Sequence, residues 1–272
     1  MSRVLYPALL AFASLTGAIQ PPGQDYDPVK EVIGKNVESI AAAQKKNPKL
    51  GFSEHSSFFG AVVNQNSSVS ITFTPRTGGD FTLFYNAYGN DVELKVQIAD
   101  SAGRKVTAKG DDFQYASFKA IAGNKYSISI QNIGADSFVG ASLMLNGGIR
   151  YPLTGLKLAS HKVAATLGRA QKDGFKAARN TIFLEGGVVA ENGSLSRPTL
   201  ESPNWMAFAV SDGKPGQLQM DTLDSTKQVL QSDTGEDVDC VSVFNQPVKN
   251  GTVKSKNTQG SSMFILSGMM IK

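Results

Sequence analysis

The stretch from Gly89 to Gly103, GNDVELKVQIADSAG, alternates apolar and polar residues. Val92, Leu94, Val96 and Ile98 fall on one side, and Asp91, Glu93, Lys95 and Gln97 on the other. A period of two marks a half-buried β-strand. A Gly-Asn-Asp turn precedes it and Asp-Ser-Ala-Gly follows it. Similar runs recur between turn residues: FFGAVV, SVSITFT, FTLFYNAY, RKVTAK, YASFKAI, KYSISIQN and VGASLML. Further along come NWMAFAV, QLQMDTL, QVLQS, CVSVF, GTVKSK and MFILSGMM. Short strands at this spacing, separated by Gly, Asn and Asp, predict β-sandwiches.

Two segments instead follow the helical period. Val29, Ile33, Val37 and Ile40 form an apolar stripe. Asp27 is placed to cap that helix with Pro28 at its first position, and Asn47-Pro48 ends it. A second helix is expected from about Leu156 to Lys172. Ala159, Val163, Leu167 and Ala170 line one face of it, and Gly174 suits its C-terminal cap.

The two helices open two copies of one plan. Ala43-Gln44-Lys45 recurs as Ala170-Gln171-Lys172, and Gly60-Ala61-Val62 as Gly187-Val188-Val189. Leu94 with Asp100-Ser101 recurs as Leu218 with Asp224-Ser225. Ser117 matches Ser242, and Leu143-Met144-Leu145 matches Gly268-Met269-Met270. Ordered matches at a nearly constant offset indicate tandem units. The expected fold is mainly β with minor α: two tandem β-sandwich, jelly-roll-like domains, each preceded by one helix. Their expected bounds are 27–150 and 151–272, with a short joint from Asn146 to Gly155. Gly147-Gly148 and Gly186-Gly187 read as turns.

Composition sharpens this. The chain has 272 residues, of which 41% are hydrophobic and only 18% charged, a balance that suits an all-β extracellular protein. The net charge is +4, but the lysines are scattered and do not alternate with aromatics as a nucleic-acid platform requires. At the N-terminus, Arg3 precedes an apolar run from Val4 to Ala13, and Thr16-Gly17-Ala18 offers a cleavage site. That is the pattern of a signal peptide over 1–18, followed by a linker over 19–26. Export to a secreted, periplasmic or cell-envelope location follows, with no membrane span in the mature chain. Cys240 is the single cysteine, so no intramolecular disulfide forms, which suits a bacterial source. Its place in the alternating DVDCVSVF makes it a core thiol.

GNDVELKVQIADSAG, KGDDFQYASFKAIAGNKYSISIQN and VGASLML together resemble the bacterial pre-peptidase C-terminal (PPC) domain over residues 55–148. The likeness lies in an acidic strand with its Gly turn, an acidic turn before the next strand, a Gly-x-x-Tyr turn and a closing strand. Glu93 stands where that family has a second Asp. The second unit has Gly216-Gln217-Leu218 in place of the acidic pair and lacks the Tyr, so it is a diverged copy. The resemblance implies a non-catalytic appendage of the kind found on secreted peptidases and other exoenzymes, some of which bind polymers or calcium.

Residues with catalytic potential are few. His55 and His161 are the two histidines. No Gly-x-Ser-x-Gly elbow or His-Glu-x-x-His motif occurs. Ser211-x-x-Lys214 lies in a Gly/Pro turn rather than on the helix such a pair needs. The remaining candidates are carboxylates and aromatics. Asp91, Glu93, Asp111 and Asp112 supply the hard oxygen donors that calcium takes, making it the one cofactor the sequence admits. Asp233, Glu236, Asp237 and Asp239 form a second acidic group. Tyr85, Tyr88 and Tyr115 are candidates for stacking on a ligand, whereas Trp205 begins a strand and is expected to be buried.

The reading is therefore an exported, non-catalytic binding module for an extracellular polysaccharide, other polymer or protein partner. The alternative is a cell-envelope structural or assembly protein that self-associates or docks a secreted enzyme. A hydrolase using His55 or His161 is a third reading.

Overall fold

A computed structural model describes residues 27–53, 56–89, 92–106, 114–235 and 239–272. The expected signal peptide and linker lie outside the described residues, as do His55, Asp91, Asp111, Asp112, Glu236 and Asp237. In the first half, α1 (Asp27–Lys46) leads to β1 (Leu50–Phe52), β2 (Phe58–Val63), β3 (Ser68–Phe73) and β4 (Gly79–Ala87). Then come β5 (Leu94–Asp100), β6 (Tyr115–Ala120), β7 (Tyr126–Asn132) and β8 (Ser137–Asn146). The second half runs α2 (Leu153–Lys172), β9 (Ile182–Val189), β10 (Ser194–Pro198), β11 (Trp205–Ser211) and β12 (Leu218–Leu223). It closes with β13 (Val229–Thr234), β14 (Asp239–Phe244), β15 (Thr252–Asn257) and β16 (Met263–Ile271). The fold is mainly β, antiparallel, of the sandwich type, with two helices.

One nine-stranded sheet runs through both halves in the order β14-β11-β16-β9-β2-β8-β4-β6, with β1 added beside β8. Two smaller sheets, β3-β7-β5 and β10-β15-β12-β13, cover one of its faces. The helices pack on each other and cover the opposite face, α1 on β4 and β8, α2 on β11 and β16. Alternation along each strand feeds separate cores. Val29, Ile33, Phe58, Met144, Leu156, Leu167, Phe208 and Phe264 form one cluster under both helices. Val69, Ile71, Leu83, Ile128 and Leu143 fill the first sandwich, and Leu195, Ala209, Met220, Val253 and Ile265 the second.

The halves meet at β2 and β9. Phe58 pairs with Gly186, Phe59 with Glu185, Gly60 with Leu184 and Ala61 with Ile182, leaving Phe183 as an extra residue in a bulge. Gly186 and Gly187 are thus strand residues, not the turn expected from sequence. They belong there because β9 is hemmed in: a Cβ on Gly186 would come within 2.7 Å of the Ile265 carbonyl oxygen. Around the expected joint, Phe52 bridges Ile149, and a Cβ on Gly51 would lie 2.7 Å from the Ile149 carbonyl oxygen. The expected RKVTAK strand is reduced to a bridge from Lys105 to Ala99, with Thr107 onward outside the described residues. The α2 helix starts at Leu153, three residues before its expected start, because Pro152 is extended and turns directly into it (φ −61°, ψ 127°).

The same hydrogen bonds recur in each half. Asp100 Oδ1 accepts from the backbone N–H groups of Ala102 and Arg104, and Asp224 Oδ1 from those of Thr226 and Gln228. Gly103 (φ 76°) and Lys227 (φ 67°) hold the left-handed position of the two turns. Asn132 Nδ2 donates to the carbonyls of Val63 and Ala135 (3.0 and 2.7 Å). Asn257 Nδ2 donates to those of Val189 and Ser261 (3.2 and 2.9 Å). Each asparagine thus ties the last strand of a small sheet to the end of β2 or β9.

Removing one of these amides leaves a buried carbonyl without its donor, which costs about 1–3 kcal/mol. Asn132→Ala and Asn257→Ala should each lower stability in urea unfolding by about 2 kcal/mol. A silent substitution at either position would contradict the matched tie.

Candidate functional site

Beside the β2–β9 seam, on the face carrying the small sheets, a cavity of about 410 Å³ opens. Its floor is Phe59 of β2 and Glu185 of β9, directly paired across the seam. One wall is β3 from Ser70 to Phe73 with the following Thr74–Thr77 turn, and Ser53 and Ser56 close another side. Past Arg76 and Thr77 a second hollow of about 550 Å³ reaches Gly193 and Ser194 in the β9–β10 turn. The lining is rich in hydroxyls, with aromatic rings between them.

The bulge explains the charge at the centre of this cleft. An extra strand residue leaves backbone groups without ladder partners. Arg197 of β10 lies buried beneath, 4% exposed. Its Nη1 donates to the carbonyls of Phe183 and Ser267 (both 2.8 Å), and its Nη2 to that of Ile182 (2.9 Å). Burial pulls the guanidinium below its ordinary pKa, and the neighbouring Glu185 carboxylate opposes that. Glu185 Oε1 stands 3.6 Å from Arg197 Nε, and Oε2 accepts a long 3.4 Å bond from Ser56 Oγ. Among the described residues, Arg197 Nε has no hydrogen-bond partner.

A second polar network pins α2. Tyr151 donates to Asp212 Oδ2 at 2.6 Å, and the Phe264 N–H donates to Asp212 Oδ1 at 2.7 Å. Burial and Asp212 push the Tyr151 phenol well above its ordinary pKa. Lys162 donates to the Ser211 carbonyl at 2.6 Å, and burial lowers its pKa against the pull of Asp212 and Asp239. Thr166 and Arg169 both bind Asp239. This network fixes how the helix docks against β11 and β16.

Among the described residues, none of the sequence candidates lines the cleft. Glu93 is exposed, and its carbonyl accepts from the Ile133 N–H. With Asp91, Asp111 and Asp112 undescribed, their meeting lies outside the structure's account. Among the described residues, no group of three His, Cys, Asp or Glu could hold a metal ion. Tyr85 is half-buried against the first sandwich core, which raises its phenol pKa. Tyr115 packs toward the helices beside Phe84, 6.1 Å between ring centroids, rather than facing outward. Tyr88 is 40% exposed at the end of β4. The three rings therefore share no platform. His161 is exposed on α2. Ser211 Oγ accepts from the Gly213 N–H, a local turn contact. In the second acidic group, Asp233 accepts from the Val241 N–H and Asp239 is held by α2. Trp205 is fully buried and donates to the Gln246 carbonyl. Cys240 is fully buried too, and burial with Asp233 and Asp239 nearby pushes its thiol up to about 12.

Sequence reasoning passed over Glu185 and Arg197. The available signal was an acidic residue inside the apolar run IFLEGGVV, which alternation alone does not explain.

No family model and no curated protein matches the chain. Among solved structures it is similar to YhaK from Escherichia coli, with 12% identity over 82% of this chain and 88% of that one, TM-score 0.21. AerE from Microcystis aeruginosa is 10% identical over 84% and 95%, TM-score 0.21. The secreted serine protease VesC from Vibrio cholerae is 11% identical over 77% and 48%, TM-score 0.23. Likenesses this distant carry no argument about function.

Losing Arg197 alone strands the Glu185 carboxylate and three carbonyls. Breaking a buried pair from one side costs about 3–5 kcal/mol, whereas replacing both partners costs far less. Arg197→Met should therefore destabilise the protein by about 3 kcal/mol in denaturant unfolding. Adding Glu185→Gln should recover part of that loss. Additive losses in the double variant would contradict the coupling.

Proposed function

We propose that the chain is an exported, non-catalytic binding protein of PPC-like type, which recognises an extracellular polymer or protein partner through the cleft beside the seam. The observation that carries this reading is Glu185, a partly exposed carboxylate at the centre of a hydroxyl-lined cavity. Such an arrangement holds a ligand and does not by itself activate a nucleophile. No helix among the described residues is long and apolar enough to cross a membrane.

A second reading, an envelope assembly protein, is favoured by exposed apolar residues on the end strands of two sheets in the second half. Val229 and Leu230 on β13 and Val243 on β14 are exposed. Exposed apolar residues on edge strands invite pairing with another chain.

The protein from Gln24 onward should pellet saturably with one of peptidoglycan, cellulose, chitin or collagen. Loss of pelleting in chelator would show a calcium requirement and point to Asp91, Glu93, Asp111 and Asp112. No pelleting under either condition, together with concentration-dependent growth in light scattering, would replace the binding reading by the assembly one.

A further inference from the structure

We propose that the cleft over Glu185 is a subsite for a neutral saccharide unit, with Glu185 accepting hydrogen bonds from adjacent ring hydroxyls and Phe73 lying against the apolar face of the sugar. This rests on the binding reading above and names its ligand class. An ionised carboxylate offers roughly four acceptor positions. Within the structure, Glu185 spends them on one long contact from Ser56 and an ion pair at 3.6 Å. Its side chain is 23% exposed and lines the cavity, where a ligand's donors can reach it.

Charge selects among donors. Among the described residues, Arg197 beneath and Arg76 at the rim outnumber Glu185. Of these described charges, a cationic ligand meets a net positive set, while an anion meets the carboxylate at the centre. A neutral donor escapes both penalties, and vicinal hydroxyls match the two carboxylate oxygens. Phe73 supplies the other half of sugar recognition. Its half-buried ring lines the cavity and is fixed by Phe81, Phe118 and Tyr126, with centroids 5.7, 6.0 and 5.5 Å away. A ring already immobilised loses little freedom when a ligand settles on it.

The test is calorimetric titration of the protein from Gln24 onward with cellohexaose, maltohexaose and chitin hexasaccharide. One of them should bind, and Glu185→Gln should weaken it about tenfold, the loss of one charge-assisted hydrogen-bond set. Phe73→Leu keeps an apolar side chain at this position and should weaken binding about fivefold, through loss of the flat ring. It also serves if Glu185→Gln fails to fold. Unchanged affinity in the folded variants overturns the assignment, and so does failure of all three saccharides to bind. Pelleting on an insoluble polymer that survives both substitutions would overturn the saccharide subsite and leave the binding reading standing.

Discussion

The antiparallel ladder between β2 and β9 sets the rest of the molecule. It joins two similar halves edge to edge, so that each loses an exposed sheet edge and gains a neighbour. Both helices then fall on one face, where they share a core that neither half encloses alone. The join admits little side-chain volume. A Cβ on Gly60 would come within 2.8 Å of the Phe138 ring, and one on Gly140 within 2.6 Å of Val32 Cγ1. Glycine at these positions makes room for a ring from the adjacent strand in one case and for the close approach of α1 to the sheet in the other.

The electrostatics of the cleft follow from a defect in that ladder. Phe183 is one residue too many for β2 to pair. Its carbonyl, with that of Ile182, turns to the buried Arg197 guanidinium. A cation so deeply buried demands an opposite charge nearby. Glu185, two residues along the same strand, provides it while facing the cavity. Bulge, arginine, carboxylate and cleft thus form one causal sequence. The same carboxylate that compensates a structural charge also lines the cleft.

Much of this architecture is legible from local pattern. The alternation in VELKVQI places Val92, Leu94, Val96 and Ile98 toward the first core, with Glu93, Lys95 and Gln97 exposed. The helical stripe of Ala159, Val163, Leu167 and Ala170 is buried as its spacing requires. The Asp100 and Asp224 matches mark turns with the same hydrogen bonds. What escaped local pattern is long-range. FFGAVV and IFLEGGVV are apolar runs with glycines, which specify strands or turns about equally and name no partner. β10, SLSRP, is too short and polar to announce a strand, yet it carries Arg197. The cleft needs β2, β3 and β9 together, and no motif spans them.

If the seam binds the halves into one cooperative unit, they must unfold together. Trp205, the sole tryptophan, sits fully buried in β11 and reports on the second half. Far-ultraviolet circular dichroism reports on both. Urea unfolding followed by the two signals on one sample is the most direct test. The account predicts coincident transitions with a single midpoint. A Trp205 transition separated from the circular dichroism curve would mean that the halves unfold independently, and would contradict the seam as the constraint on which the fold rests.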